Sequence, residues 1–143
     1  MRLFIDTNVA LDVLAGRQPW LHDSATVLSL LESEEFHGTV AAHSITTLFY
    51  LCAKELGRDQ ATAALVNLLR LVSVAPLDQE RILKAIALGW RDLEDAIQML
   101  SATDANADYL VTRNTTDFEA SQIPVITPSE LLAILRSEPP LSP

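Results

Sequence analysis

Five short apolar runs alternate along the chain with longer stretches whose apolar residues recur at helical period. The runs are Leu3 to Ile5, Thr39 to Ala42, Leu71 to Ala75, Tyr109 to Val111 and Val125 to Ile126. Such alternation is the pattern of βαβ units, so the expected fold class is α/β, three layers of α/β/α around a mostly parallel central sheet. The first helix is expected from Asp6 through about Ala15 and the second over about Leu21 to Leu31. A third and a fourth, about Ile45 to Leu56 and Asp59 to Leu69, are separated by Gly57, a good terminator. Another pair covers about Gln79 to Leu88 and Asp92 to Thr103, and the last, Ser129 to Leu135, follows Pro128.

A chain of 143 residues, 49% of them hydrophobic, can bury one good core and is short for two. The expected organisation is one domain over residues 1–136 and a disordered tail over 137–143, rich in proline and serine and free of catalytic residues. Cys52 is the only thiol, which excludes an internal disulfide and multi-cysteine zinc sites and suits a reducing cytoplasm. The apolar run before Asp6 is too short for a signal peptide, and no later stretch is apolar enough to span a bilayer. A soluble cytoplasmic protein is therefore expected. Ten Lys and Arg against 19 Asp and Glu give a formal charge of -9, which argues against gripping nucleic acid by charge alone. The argument weakens if several acids share one pocket, because crowded carboxylates repel one another unless a cation lies between them.

Three acidic segments are placed to share such a pocket. Asp6 ends the first strand and precedes Thr7 and Asn8 at a helix start, the strand edge where open α/β sheets bind ligands. An N-cap is an equally good reading of it. In the stretch Arg91 to Leu100, Leu93, Ala96, Ile97 and Leu100 form one apolar stripe, with Asp92 and Asp95 together on a flank and Glu94 on the other, towards solvent. A capping box explains Asp92 at the N-cap and Asp95 three residues on. The third segment is a polar loop after Tyr109 to Val111 that carries Thr112, Asn114 and Asp117, and ordinary turn chemistry accounts for it equally well in isolation. Convergence favours a site: two strand ends and one helix start, all acidic, facing one cleft. Asp78, Asp104 and Asp108 are read as surface residues. His22, His37 and His43 lack metal-ligand spacing, and only His43, at a strand-to-helix junction, stands near the presumed edge.

Taken in order, these segments resemble the PIN domain, and in particular the small prokaryotic branch that includes VapC-type toxins. Asp6-Thr-Asn-Val-Ala-Leu-Asp12 resembles the opening motif, Asp92-Leu-Glu-Asp-Ala-Ile-Gln98 the helical motif, and Val111-Thr-Arg-Asn-Thr-Thr-Asp-Phe118 the final acidic loop. Ile123-Pro-Val-Ile-Thr-Pro128 resembles the closing strand. The resemblance implies Mg²⁺ or Mn²⁺ held by Asp6, Asp95 and Asp117 with help from Asp92, and cleavage of RNA phosphodiesters. It also implies a cognate antitoxin and a homodimer. Two departures stand out: Ser44 to Leu51 lacks the glutamate many members carry, Thr47 or Tyr50 standing in its slot, and Asn114 occupies the slot of a fourth acid, leaving Asp117 nearby. One dominant ion is therefore expected rather than a pair, and the alternative is a catalytically weakened module that binds RNA or protein. Arg91 and Arg113 flank the acidic motifs, as phosphate contacts or as surface charges. A receiver domain would need a lysine at the acidic pocket, and a haloacid-dehalogenase-type phosphatase a second Asp where Asn8 stands; neither requirement is met.

Overall fold

Strand β1 (Arg2–Ile5) takes the centre of the sheet because Leu3, Phe4 and Ile5 are all buried, as a parallel strand covered on both faces requires. The computed structural model describes residues 1–118 and 120–137. Five strands lie in the order β3 (Val72–Ala75), β2 (His37–Ala41), β1, β4 (Tyr109–Val111), β5 (Val125–Ile126), and every pairing is parallel.

Side-chain alternation along β1 assigns the two outer layers. Leu3 and Ile5 join the larger core with Val9, Leu48 and Leu131, under α1 (Thr7–Leu14), α2 (Leu21–Leu30), α3 (Ala42–Leu56), α4 (Arg58–Leu71) and α7 (Pro128–Ser137). Phe4 enters the opposite face with Met99, Ala102, Leu110 and Phe118, beneath α6 (Leu93–Asp104), against which α5 (Gln79–Ala87) packs. This is the three-layer α/β/α sandwich expected from the alternation of runs.

Element ends moved where polar residues blurred the pattern. β2 begins at His37 instead of Thr39, because its register with β1 starts at Arg2↔His37, and it yields Ala42 to α3. That helix therefore starts three residues before Ile45 and carries His43 and Ser44 in its first turn. Leu71 belongs to α4 and not to β3. Gly57, at φ +88°, separates α3 from α4 in a backbone region that glycine enters without strain. A short 3-10 turn at Thr115–Phe118 occupies what the sequence suggested was an irregular loop. Of the stretch expected to be disordered, Ser137 belongs to α7 and residues 138–143 lie outside the described residues. Among the described residues no helix is long and apolar enough to cross a membrane.

Candidate active site

The chain runs from β1 outward to β2 and β3, then returns across the sheet to place β4 on the other side of β1. The strand order thus reverses between β1 and β4, and in such sheets the crevice beyond the carboxyl ends at this point is the usual ligand site. Asp6 leaves β1 and Thr112 leaves β4 at that crevice. The Asp6 amide donates to the Val111 carbonyl at 3.0 Å, extending the ladder by one residue, and the Thr112 hydroxyl donates to Asp6 Oδ2 at 2.6 Å.

This hydrogen bond decides between the two readings of Asp6. The residue occupies the N-cap position of α1 with extended backbone, yet its carboxylate makes no capping bond to the helix. Instead it is 5% exposed and committed to Thr112. Burial pushes its pKa up, against the pull of the hydrogen bonds it accepts, chiefly from Thr112. Thr112 Oγ1 also takes the Asn114 amide at 3.1 Å and the Asn8 side-chain amide at 3.4 Å, so one buried hydroxyl ties β1, α1 and the acidic loop together. Nearby, the Thr7 amide donates to Gln98 Oε1 at 3.3 Å, and the Thr7 and Ser44 hydroxyls are hydrogen-bonded, which joins α6 and α3 to the same corner.

Asp92 is a cap: the Asp95 amide donates to its Oδ1 at 3.2 Å. Its place at the mouth of the cleft is retained, because an open cavity of about 770 Å³ is lined by Trp90, Arg91, Asp92, Asp95, Thr116, Asp117 and Ala120. Asp95 is half-buried there. Burial first, and then the charges of Asp92, Asp6, Asp117 and Glu94, push its pKa up to about 7. Asp92, Asp95 and Asp117 therefore line one cleft, and Asp6 lies near enough to act on Asp95, although Asp117, like Asn114, is exposed. Glu94 is exposed as expected but belongs to the same field. Among the described residues, no three His, Cys, Asp or Glu side chains already converge into a cage for an ion. Burial lowers the pKa of His43, which lies close enough to feel Glu94, Asp6 and Asp92, and among the described residues both ring nitrogens lack a hydrogen-bond partner.

Two residues were misjudged from sequence. Asp12, quoted only as the end of a motif, is fully buried, with Arg113 Nε 2.7 Å from its Oδ2 and the Ser24 hydroxyl donating to the same oxygen at 3.4 Å. Arg113, read as a phosphate contact or a surface charge, turns inward, its guanidinium carbon 3.9 Å from the centre of the Trp20 ring. An acid on the buried face of α1, beside Val9, Ala10 and Leu11, was the available signal for Asp12. Nothing local marks Arg113 as its partner.

The raised Asp95 pKa gives a signed prediction for the protein in divalent-free buffer. Asp95 in the folded chain titrates near 7 against 3.8 when unexposed to this field, so the folded state holds the proton more tightly between those values. Its contribution to stability is full below the lower value and is lost as pH rises through the upper one. His43, with its lowered pKa, acts in the opposite sense, so only a comparison of variants isolates the carboxylate. Asp95→Asn is expected to raise the thermal midpoint at about pH 8 and to leave it little changed at about pH 5. Thermal denaturation of both proteins across that range checks it, and a midpoint that falls at the higher pH refutes it.

Comparison with known proteins places this geometry in a family. The PIN domain family matches residues 2–116. Ribonuclease VapC1 of Aquifex aeolicus (strain VF5) is 25% identical over 134 residues, covering 90% of this chain and 92% of that protein. Among solved structures, VapBC2 from Rickettsia felis, bound to a DNA fragment from its promoter, superposes with a TM-score of 0.69 at 16% identity, covering 89% of this chain and 98% of that one. A toxin–antitoxin complex from Klebsiella pneumoniae gives a TM-score of 0.66 at 23% identity, covering 88% and 97%. At these identities the structural likeness speaks for the fold.

Proposed function

The chain belongs to the PIN domain family, and on that premise we propose that it is a divalent-metal-dependent endoribonuclease, the toxin of a type II toxin–antitoxin pair working in the cytoplasm. The observation that carries the proposal is the crowding of Asp95 by Asp92, Asp6, Asp117 and Glu94, which costs the folded chain stability unless a cation relieves it. The donor set fits Mg²⁺ or Mn²⁺. It offers hard carboxylate oxygens and no thiolate, and Cys52 is buried elsewhere in the core. Mg²⁺ is commonly held by one or two carboxylates, with several retained waters completing its shell.

Asp6, Asp95 and Asp117 would hold the ion, with Asp92 beside them. When bound, the ion polarises a phosphoryl oxygen and lowers the pKa of the attacking water. The remaining work falls to the chain. Thr112 fixes the Asp6 carboxylate, leaving Oδ1 outside that hydrogen bond. Asp92 spends one oxygen on the Asp95 amide, which holds the first turn of α6 at the mouth of the cleft. Among the described residues Arg91 is the one cation lining that cleft, and it would meet an RNA phosphate there. Asn114, an exposed neutral group in place of a fourth acid, supports one dominant ion. The ribonuclease name of the Aquifex relative supports RNA as substrate, and the Klebsiella complex supports an antitoxin partner. A homodimer is part of the same proposal.

The test is cleavage of structured RNAs by the purified protein with Mg²⁺ or Mn²⁺ and with excess chelator. Endonucleolytic products that vanish with chelator are expected. Products that persist in chelator would remove the metal from the mechanism, and intact RNA under every condition would favour the binding module instead.

A further inference from the structure

The loop that carries Thr112, Asn114 and Asp117 leaves the sheet after a strand of three residues. One residue of the loop is nevertheless deeply anchored. Arg113 sends its side chain back between α1 and α2, where only 18% of it is exposed, to a carboxylate with no exposure at all. Around that contact, Trp20 lies under the guanidinium at 3.9 Å and Ser24 donates to the same Asp12 oxygen at 3.4 Å. The Arg113 amide also donates to Asn8 Oδ1 at 3.4 Å. Backbone and side chain of Arg113 are thus both committed to α1, directly between Thr112, which fixes Asp6, and Asn114, whose carbonyl accepts from the Asp117 amide at 3.1 Å to start the 3-10 turn.

We propose that Asp12 and Arg113 form a positioning clamp that sets Asp117 opposite Asp95, so that the pair tunes the metal site without touching metal or RNA. The inference rests on the metal-site reading given above. Two features separate a clamp from a simple structural ion pair. Among the described residues Arg113 is the cation nearest Asp12, with Arg17 acting on it less strongly, so lifting the loop would take the main partner from a fully buried carboxylate. Moreover, the guanidinium lies between the Asp12 carboxylate and the Trp20 ring, which confines it on two sides. Arg113 is consequently withdrawn from the substrate. Among the described residues the cleft wall keeps Arg91 as its cation.

Asp12→Asn keeps the shape of the buried side chain and removes its charge; Arg113→Lys keeps the charge and removes the fork and the stacking. Each is compared with wild type and with Asp6→Asn in three measurements: amide exchange over residues 112–118 without metal, Mn²⁺ affinity by calorimetry, and RNA binding in chelator. Expected for Asp12→Asn are exchange faster by about tenfold in that segment and Mn²⁺ binding weaker by roughly 10- to 100-fold, the range found for groups that orient metal ligands. Arg113→Lys should show a smaller loss of the same sign. Wild-type exchange and wild-type Mn²⁺ affinity in a folded Asp12→Asn protein would overturn the clamp. So would unchanged Mn²⁺ affinity with tighter RNA binding, which would make Arg113 a phosphate contact released from its partner. If Asp12→Asn does not fold, Arg113→Lys decides on the same measurements. Should wild type bind Mn²⁺ no better than Asp6→Asn, the metal reading fails by itself, and the exchange data alone then support or refute the anchoring of the loop.

Discussion

Asp6→Asn is expected to slow RNA cleavage by about 1,000-fold or more, the scale of losing a residue at the reacting centre, while leaving the protein folded. The substitution is close to isosteric, and the amide oxygen can still accept the Thr112 hydroxyl that now donates to Oδ2 at 2.6 Å. What disappears is the negative charge, and burial already raises the free energy of that charge in the metal-free chain. The thermal midpoint without metal should therefore stay level or rise, as the buried carboxylate no longer has to ionise or trap a proton. Activity and stability move in opposite directions, which is the mark of a group retained for function at a cost to the fold. Single-turnover cleavage of an oligonucleotide that wild type cuts, read beside circular dichroism, checks both halves. Wild-type rates would remove Asp6 from the site, and a lower midpoint with lost activity would reduce it to a structural residue.

The largest loss of stability is expected from Phe4→Ala. Phe4 is fully buried between the sheet and α6, and it shares its cluster with Ala41, Met99, Ala102, Leu110 and Phe118. Removing a buried ring of this kind costs about 3–5 kcal/mol, transfer and cavity terms together. Against a typical total of roughly 5–15 kcal/mol, that is a large fraction of the whole. The midpoint should drop by roughly 10–20 °C. The consequence reaches the site because α6 presents Asp95 from its first turn, and Met99 and Ala102 one and two turns on rest in this cluster. Urea denaturation measures the loss, and a change under about 1 kcal/mol would mean that the neighbouring side chains collapse fully into the space.

The sheet was legible because parallel strands buried on both faces read as unbroken apolar runs, and Leu3 to Ile5 and Tyr109 to Val111 fall within β1 and on β4. Ends were less so. His37 and Gly38 look like loop residues until Arg2 supplies the pairing, and Ala42 fits a strand as well as the helix that claims it. The four acids were found at one edge because strand direction and helix phase fix where each leaves the fold. Their individual roles were not legible, since a cap and a ligand demand the same residue at the same place. Asp92 turned out to cap α6 while Asp6 leaves α1 uncapped, and only the far-off Thr112 distinguishes them. Arg113 defeated local reasoning in the same way, because its direction depends on Asp12 and Trp20, both remote in sequence.

The pairing of β1 with β4 also has a meaning for synthesis. The first strand to be made waits for one of the last: Leu3 pairs with Tyr109, and Asp6 meets its hydroxyl partner only across a separation of 106 positions. Such long-range closure comes late in folding, and a chain emerging from the ribosome folds from its beginning with that side of β1 still unpaired. Asp6 is made long before Thr112, and Asp95 before Asp117. The corner where Asp6 and Thr112 meet is therefore among the last parts of the fold to close.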